Sequence, residues 1–510
     1  MRAVMRPTYG RAVTSSAVPV PPSASGAGTE APAHLPTTLG SLRASGHEHR
    51  TVKQEIRENL LDLLRSGGPR FPGVVGFDDT VLPDLERALL AGHDLVLLGE
   101  RGQGKTRLIR TLVGLLDEWT PVIAGAELHE HPYAPITPAS RRRAAELGDA
   151  LPVAWVHRAD RYAEKLATPD TSVGDLIGDV DPIKVAEGRT LGDPDTIHFG
   201  LVPRMHRGIF AVNELPDPAE RIQVALLNVL EERDVQVRGY VLRLPLDLLL
   251  VASANPEDYT NRGRIITPLK DRFGAEIRTH YPLDIGGEVA LVRQEARLVA
   301  EVPDHLVEVL ARFARAVRDS PAVDARSGVS ARFAIAAAET VAAAALRRCV
   351  LLGDSDPVAR VGDAVTVTAT LRGKVEFEAD GEGREIEILD HLLRRAVAET
   401  WRSRLGGLDL SGFAAAAAAD GGIAAGDSVS SRDLLKQLGP VPGLAAVLRR
   451  LDGGLSGRHT ADAGDIPRPA EAAGAAEFVL EGLHLTRRLA KDVMADGRTV
   501  YGGGTDTTEA

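Results

Sequence analysis

Asp94–Asp117 reads DLVLLGERGQGKTRLIRTLVGLLD. Leu95–Leu98 is a short apolar run of the kind that forms a strand buried on both faces, and Gly99-Glu-Arg-Gly-Gln-Gly104-Lys105-Thr106 satisfies G-x-x-x-x-G-K-[ST]. Behind it Leu108, Ile109, Leu112, Val113, Leu115 and Leu116 recur at helical spacing. Strand, loop and helix arrive in the order a phosphate-cradling loop needs, which predicts an α/β core built on a parallel sheet. Gly99, Gly102 and Gly104 let backbone N–H groups turn inward around a polyphosphate, and the helix N-terminus adds partial positive charge. Lys105 can then reach terminal phosphates, and the Thr106 hydroxyl can ligate Mg²⁺.

Moving outward, Gly208–Val212 is a second buried-strand run that ends in Asn213-Glu214, with a helix predicted from Pro218 to about Glu232. In nucleotide hydrolases of this layout the strand ends in an acidic pair. The first carboxylate orients Mg²⁺ and its water, and the second polarises the attacking water. Glu214 supplies the second function. Asn213 at the first position can accept from a Mg²⁺-bound water but carries no charge, which predicts a weak metal corner and slow turnover. Val235–Leu244 alternates around Arg238-Gly239 as a β-hairpin does. It feeds Asp247–Asn255, a buried strand with a polar residue at its carboxyl end, where Asn255 can hold the attacking water or a γ-phosphate. In Thr267–Phe273, Arg272 is either half of a surface Asp-Arg pair or a finger reaching a neighbouring subunit's phosphate, a role worth about three or more powers of ten in rate.

The chain has 510 residues, enough for two to four domains. Its 71 carboxylates outnumber 60 Lys and Arg, which argues against a general polyanion binder. A single cysteine, Cys349, excludes a disulfide framework within one chain, no apolar run approaches a spanning helix, and the compartment expected is a reducing cytosol. Residues 1 to about 46, rich in Pro, Ala, Ser and Gly, read as a disordered tail; a transit peptide is the other reading. The stretch from Trp119 to Pro194 is polar, with Val153–Trp155 its first strong strand signal. His129-Glu-His131 inside it reads as a solvated loop rather than as metal ligands, and Arg141–Arg143 as an exposed helix face. Val365–Thr370 and Lys374–Phe377 read as short strands, and Ala414–Gly422 as a low-complexity linker. Leu480, Leu483, Leu485 and Leu489 form either a partner-facing stripe or a packing face.

Together these pieces resemble an AAA+ ATPase, and residues 71–345 resemble the ATPase subunit of magnesium chelatase and its MoxR-type relatives. The specific likeness lies in Val173–Asp181, Ala186-Glu-Gly188, Phe199–Gly208, Asn255-Pro-Glu257 and Leu269–Phe273. The resemblance implies a P-loop AAA+ core at 47–285 with an insertion around 120–200 and a helical lid at 286–350; the residue pattern beyond it predicts a mostly helical accessory region at 351–500 and a tail at 501–510. The resemblance also implies ATP and Mg²⁺ as ligands, with Gly99, Gly102, Gly104, Lys105 and Thr106 binding nucleotide and Thr106 and Asn213 at the metal. By the same resemblance Glu214 activates water, Asn255 senses the γ-phosphate, Arg272 acts on the adjacent subunit, and Arg332, in Ser330-Ala-Arg332-Phe, is a second sensor. The implied assembly is a homo-oligomeric ring, a hexamer being one form, that remodels a partner carrying a von Willebrand A-type domain. Two departures matter: Asn213 stands where the family has Asp, and residues beyond about 350 match nothing in it. A nucleotide-gated scaffold with little turnover therefore remains open. So does a helicase or transcriptional activator using Arg238 and Arg243 on nucleic acid, which the acidic net charge disfavours.

Overall fold

A computed structural model describes residues 30–502, except 182–185, 187–195, 217–219, 233–234, 238–239, 243, 257–264, 325–327, 379–380, 382, 420, 453–467 and 495–497. Arg238, Arg243, Glu257, most of Ala186-Glu-Gly188 and the outer parts of both tails lie outside the described residues.

Five parallel strands form the central sheet: β1 (Leu95–Leu98), β2 (Tyr162–Leu166), β3 (Gly208–Asn213), β4 (Leu248–Ala254) and β5 (Ala275–Arg278). Their order is β5-β1-β4-β3-β2, with Leu95 level with Val251 on one side and Ala275 on the other, and Leu248 level with Gly208. Because side chains alternate across a pleated strand, one run of Val and Leu feeds two cores. Leu95, Leu97, Ile209, Ala211, Leu249 and Val251 face helices α1 (Val52–Ser66), α2 (Val81–Ala91) and α3 (Lys105–Thr111). Val96, Leu98, Phe210, Val212, Leu250 and Ala252 face α4 (Glu220–Glu232) and the insertion around Phe199. The α/β fold class expected from the phosphate loop is the one observed.

Past the sheet come α5 (Thr267–Arg272) and then α6 (Ile285–Glu295), α7 (Asp304–Arg318) and α8 (Ala331–Leu352), the three helices expected of a lid. They do not end as a separate body at residue 350. One apolar cluster runs from Val289 through Phe313, Phe333 and Ala345 into α9 (Glu385–Leu405) and α10 (Pro469–Leu485), and on to Tyr501. The Ala- and Gly-rich α10 is buried along almost its whole length; a Cβ on Gly482 would overlap the Trp401 indole, so α9 and α10 approach closely only with glycine there. Leu480 and Leu483 are core residues of this contact, which settles the stripe as packing.

Several expectations need correction. Thr38 opens a capped helix at Leu39–Ala44 with Leu39 and Leu42 buried, so order begins before residue 46. Trp119–Ile123 is a strand, antiparallel to Val153–His157, and β2 is an edge strand of the main sheet; neither was expected, the first because a proline interrupts it and the second because charged residues do. Val365–Thr370 is not a strand. Val361–Val365 is a tight turn and Thr366–Leu371 a helix, in which the Thr366, Thr368 and Thr370 hydroxyls donate to carbonyls three or four residues back while Val367 and Leu371 pack inward. Phe377 makes only an isolated bridge with Val323. The supposed linker is a helix, Ser411–Ala418, with Phe413 and Ala417 in the core.

His129-Glu-His131 is likewise no solvated loop. Glu130 is fully buried, its carboxylate accepting from Ile136 N (2.6 Å), Thr137 N (2.9 Å), Thr137 Oγ1 (2.7 Å) and Ser140 Oγ (2.7 Å), and so holds in place Thr137, the residue that caps the helix Pro138–Leu147. The Tyr133 amide donates to His131 Nδ1 at 3.0 Å, so the neutral ring carries its proton on Nε2, 3.2 Å from His47 Nε2. Neither nitrogen is left for a metal, and among the described residues no cluster of His, Cys, Asp or Glu is arranged to hold one. No helix among them is long and apolar enough to cross a membrane.

Candidate nucleotide-binding site

The three inner strands of the parallel sheet, β1, β4 and β3, deliver their carboxyl ends to one edge, where ligands sit in open α/β folds. The loop after β1 turns through two left-handed glycines, Gly102 (φ 78°) and Gly104 (φ 77°), conformations that cost a side-chain-bearing residue energy. Gly99 and Gly102 are also steric necessities. A Cβ on Gly99 would overlap Thr279 Oγ1 and Gln103 Oε1, and one on Gly102 would overlap Ser330; the Cβ direction of Gly104 meets nothing within 4 Å.

Lys105 opens α3 and extends its ammonium back over the loop. Nζ donates to the carbonyls of Gly99 and Glu100 (2.8 Å for the latter) and to Asn255 Oδ1 at 2.9 Å. Asn255 is nearly buried at the end of β4, so two residues 150 positions apart meet at one point. Asn213, at the end of the adjacent β3, accepts from Ser253 Oγ through Oδ1 at 3.1 Å. The next residue, Glu214, has φ 58°, one of only three described non-glycine residues in the left-handed region. Strain of that kind, about 1–3 kcal/mol, persists only where surroundings enforce it; here Leu215 N donates to Ser253 O at 2.9 Å and pins the turn. Thr106 lies in the first turn of α3 beside Lys105.

The remaining two candidates stand apart from this group. Arg332 is exposed on the first turn of α8, two residues beyond Ser330, which packs on Gly102 and caps the helix by accepting from Arg332 N at 3.0 Å. Arg272 is on the surface, paired with Glu231 of α4, and makes no described contact with Lys105, Asn255 or Asn213. The donor set suits a polyphosphate: a glycine cradle at a helix N-terminus, one ammonium and a threonine hydroxyl. Asn213, at the neighbouring strand end, offers a neutral amide oxygen rather than a carboxylate.

No known family profile matches the chain. Over 256 residues it is 27% identical to the chloroplastic magnesium-chelatase subunit ChlI-1 of Arabidopsis thaliana, a match covering 48% of this chain and 56% of that protein. Over 237 residues it is 28% identical to the magnesium-chelatase 38 kDa subunit of Rhodobacter capsulatus, covering 44% and 59%. The chain is thus similar to the ChlI-type subunits of magnesium chelatase over somewhat less than half its length. It spans rather more than half the length of those curated relatives. Among solved structures, the BchI–BchD complex of magnesium chelatase overlaps 62% of this chain and 98% of the compared chain, at 19% identity and TM-score 0.33. The RuvB P216G mutant of Thermotoga maritima overlaps 73% and 91%, at 14% identity and TM-score 0.35.

Sequence reasoning missed Ser253, which fixes the Asn213 amide, and the segment Thr279–Tyr281, which lies against the phosphate loop. Thr279 Oγ1 donates to Gln103 Oε1 at 2.8 Å, and Tyr281 Oη donates to Arg101 O at 2.7 Å. Only the fold brings these residues there; the TH-Y spacing after β5 carries no signal by itself.

Proposed function

We propose that the chain binds Mg·ATP at its phosphate loop and hydrolyses it at seams between copies arranged in a ring, using the cycle to remodel a partner protein. The observation that carries this reading is the 2.9 Å contact between Lys105 Nζ and Asn255 Oδ1, which joins the loop lysine to the strand end where a γ-phosphate would lie. Lys105 balances phosphate charge and Asn255 orients the attacking water. Glu214, in the left-handed turn after β3, accepts a proton from that water. Mg²⁺, when bound, neutralises charge developing between the outer phosphates, and Thr106 and Asn213 would hold it or its waters. Arg272, exposed and outside its own chain's site, would exchange its Glu231 partner for a neighbour's phosphate, with Arg332 contributing from the lid. The relatives named for magnesium chelatase support a chelatase-type assembly, with a von Willebrand A-type partner as the expected client.

A second reading, a nucleotide-gated scaffold with little turnover, is favoured by Asn213, whose amide is neutral and engaged by Ser253. Steady-state phosphate release and equilibrium binding of a fluorescent nucleotide separate the two. Asn213→Asp should raise turnover more than about threefold, corresponding to roughly 0.7 kcal/mol. Lys105→Ala should abolish binding. If wild type binds nucleotide but releases no phosphate and Asn213→Asp does not change that, the scaffold reading stands and the hydrolase reading falls.

A further inference from the structure

The segment leaving β5 touches both halves of the molecule. On the core side, Tyr281 Oη holds the Arg101 carbonyl in the middle of the phosphate loop, and burial together with the Glu100 charge pushes its phenol pKa up, keeping the O–H as a donor. On the lid side, the Arg318 guanidinium lies over the Tyr281 ring, 4.0 Å from its centroid. Arg318 closes α7, and it gathers the other lid elements: Nη1 donates to buried Glu288 of α6 at 2.7 Å, and Nε donates to Val329 O at 3.1 Å. Val329 directly precedes Ser330, the cap of the helix that carries Arg332. A ring held at one edge by the loop and on one face by a guanidinium that ties three lid helices together cannot shift without moving both.

We infer that Tyr281 and Arg318 are positioning residues that couple the phosphate loop to the lid, so that nucleotide in the loop sets the placement of α8 and Arg332. The inference rests on the nucleotide-binding reading above. A change in the loop at Arg101 is passed through the phenol to the stacked guanidinium and on to the backbone at Val329. Cation–π stacking on a partly desolvated ring and a charge-assisted bond to a buried carboxylate are both directional, which suits them to transmitting position rather than merely adding stability.

The test is amide hydrogen exchange in the first turn of α8, residues 331–334, on the full chain with Mg²⁺ and either ADP or a non-hydrolysable ATP analogue, alongside phosphate release. In wild type, exchange there should change when the analogue replaces ADP. Arg318→Gln should bind both nucleotides within about threefold of wild type, yet lose that difference and about tenfold in turnover. Tyr281→Phe, which keeps the ring and its stacking but removes the O–H, is a gentler cut of the same link and should lose the same difference. Because both cut one relay, the double variant should be no worse than the more impaired single variant. Retention of the α8 response in either variant, or additive losses in the double, overturns the coupling while leaving the site reading intact. Absence of nucleotide binding in wild type overturns both.

Discussion

Lowering the pH from 7 to 5 should destabilise this chain far more than its overall acidity suggests, because of how Arg207 is buried. Arg207 is 4% exposed and bonds only neutral acceptors, Pro121 O at 2.8 Å and Thr120 Oγ1 at 2.9 Å, so burial and nearby Arg161 lower its pKa to about 10. Around it stand His206, His129 and His131. Burial first and the Arg207 or Arg161 charge second push them to about 3, about 4 and about 2, against 6.5 in the unfolded chain. His47 and His49 are lowered for the same reasons, while Glu55, Asp117 and Asp247 supply the opposing charge. Each depressed histidine binds its proton more readily once unfolded, so its contribution is intact above pH 6.5 and falls as pH drops from there toward the folded value. At about 1.4 kcal/mol per pH unit, each of the three loses roughly 2 kcal/mol between pH 6.5 and 5. Since they share one neighbourhood, about 4–6 kcal/mol together is the expected loss, against a typical total of about 5–15 kcal/mol. Urea unfolding followed by tryptophan fluorescence at pH 7, 6 and 5 measures this directly, with Trp155 close to the His47 ring as a local reporter. His131→Gln should reduce the slope by about one proton. A loss under about 1 kcal/mol between pH 7 and 5 would refute this picture of the cluster.

Gly102→Ala should weaken nucleotide binding at least about tenfold, because the position has φ 78° and its Cβ would overlap Ser330; titration with a fluorescent nucleotide checks it. Glu130→Ala should cost about 3–5 kcal/mol in urea unfolding, since it leaves two backbone amides and two hydroxyls without their buried acceptor, and should loosen the 119–157 lobe to proteolysis. Gly482→Ala should lower thermal stability by about 1–3 kcal/mol by forcing the Trp401 indole away from α10.

What was legible in the sequence was what is local. β1, β3 and β4 are buried on both faces and therefore spell uninterrupted apolar runs, and the phosphate loop is one contiguous motif. β2 was not legible because it is an edge strand in which Glu164 and Lys165 face half into solvent, Glu164 being held by Arg110 from α3 at 2.9 Å. The Thr-Val alternation at 365–370 misled because backbone bonding of the hydroxyls, which propensity ignores, decides its conformation. The alanine run at 414–419 has the composition of a linker, yet Phe413 and Ala417 give it a buried face. Glu130, read as part of a polar loop, is buried because four donors converge on it from residues six to ten positions away. Among the candidate residues, Lys105 could be named from the contiguous loop motif and Glu214 and Asn255 from strand ends, whereas Ser253, Tyr281 and Arg318 matter only through what the fold sets beside them.

Mixing two inactive chains tests most directly whether nucleotide is shared at a seam between copies. Glu214→Gln lacks the carboxylate proposed to activate water but keeps Arg272, and Arg272→Ala lacks the guanidinium proposed to act across the seam but keeps Glu214, so a mixed assembly would contain some seams with both. Phosphate release from the mixture should rise well above that of either parent and depend on total protein concentration. A mixture that never exceeds the more active parent, at concentrations where the chains associate, would contradict the shared site.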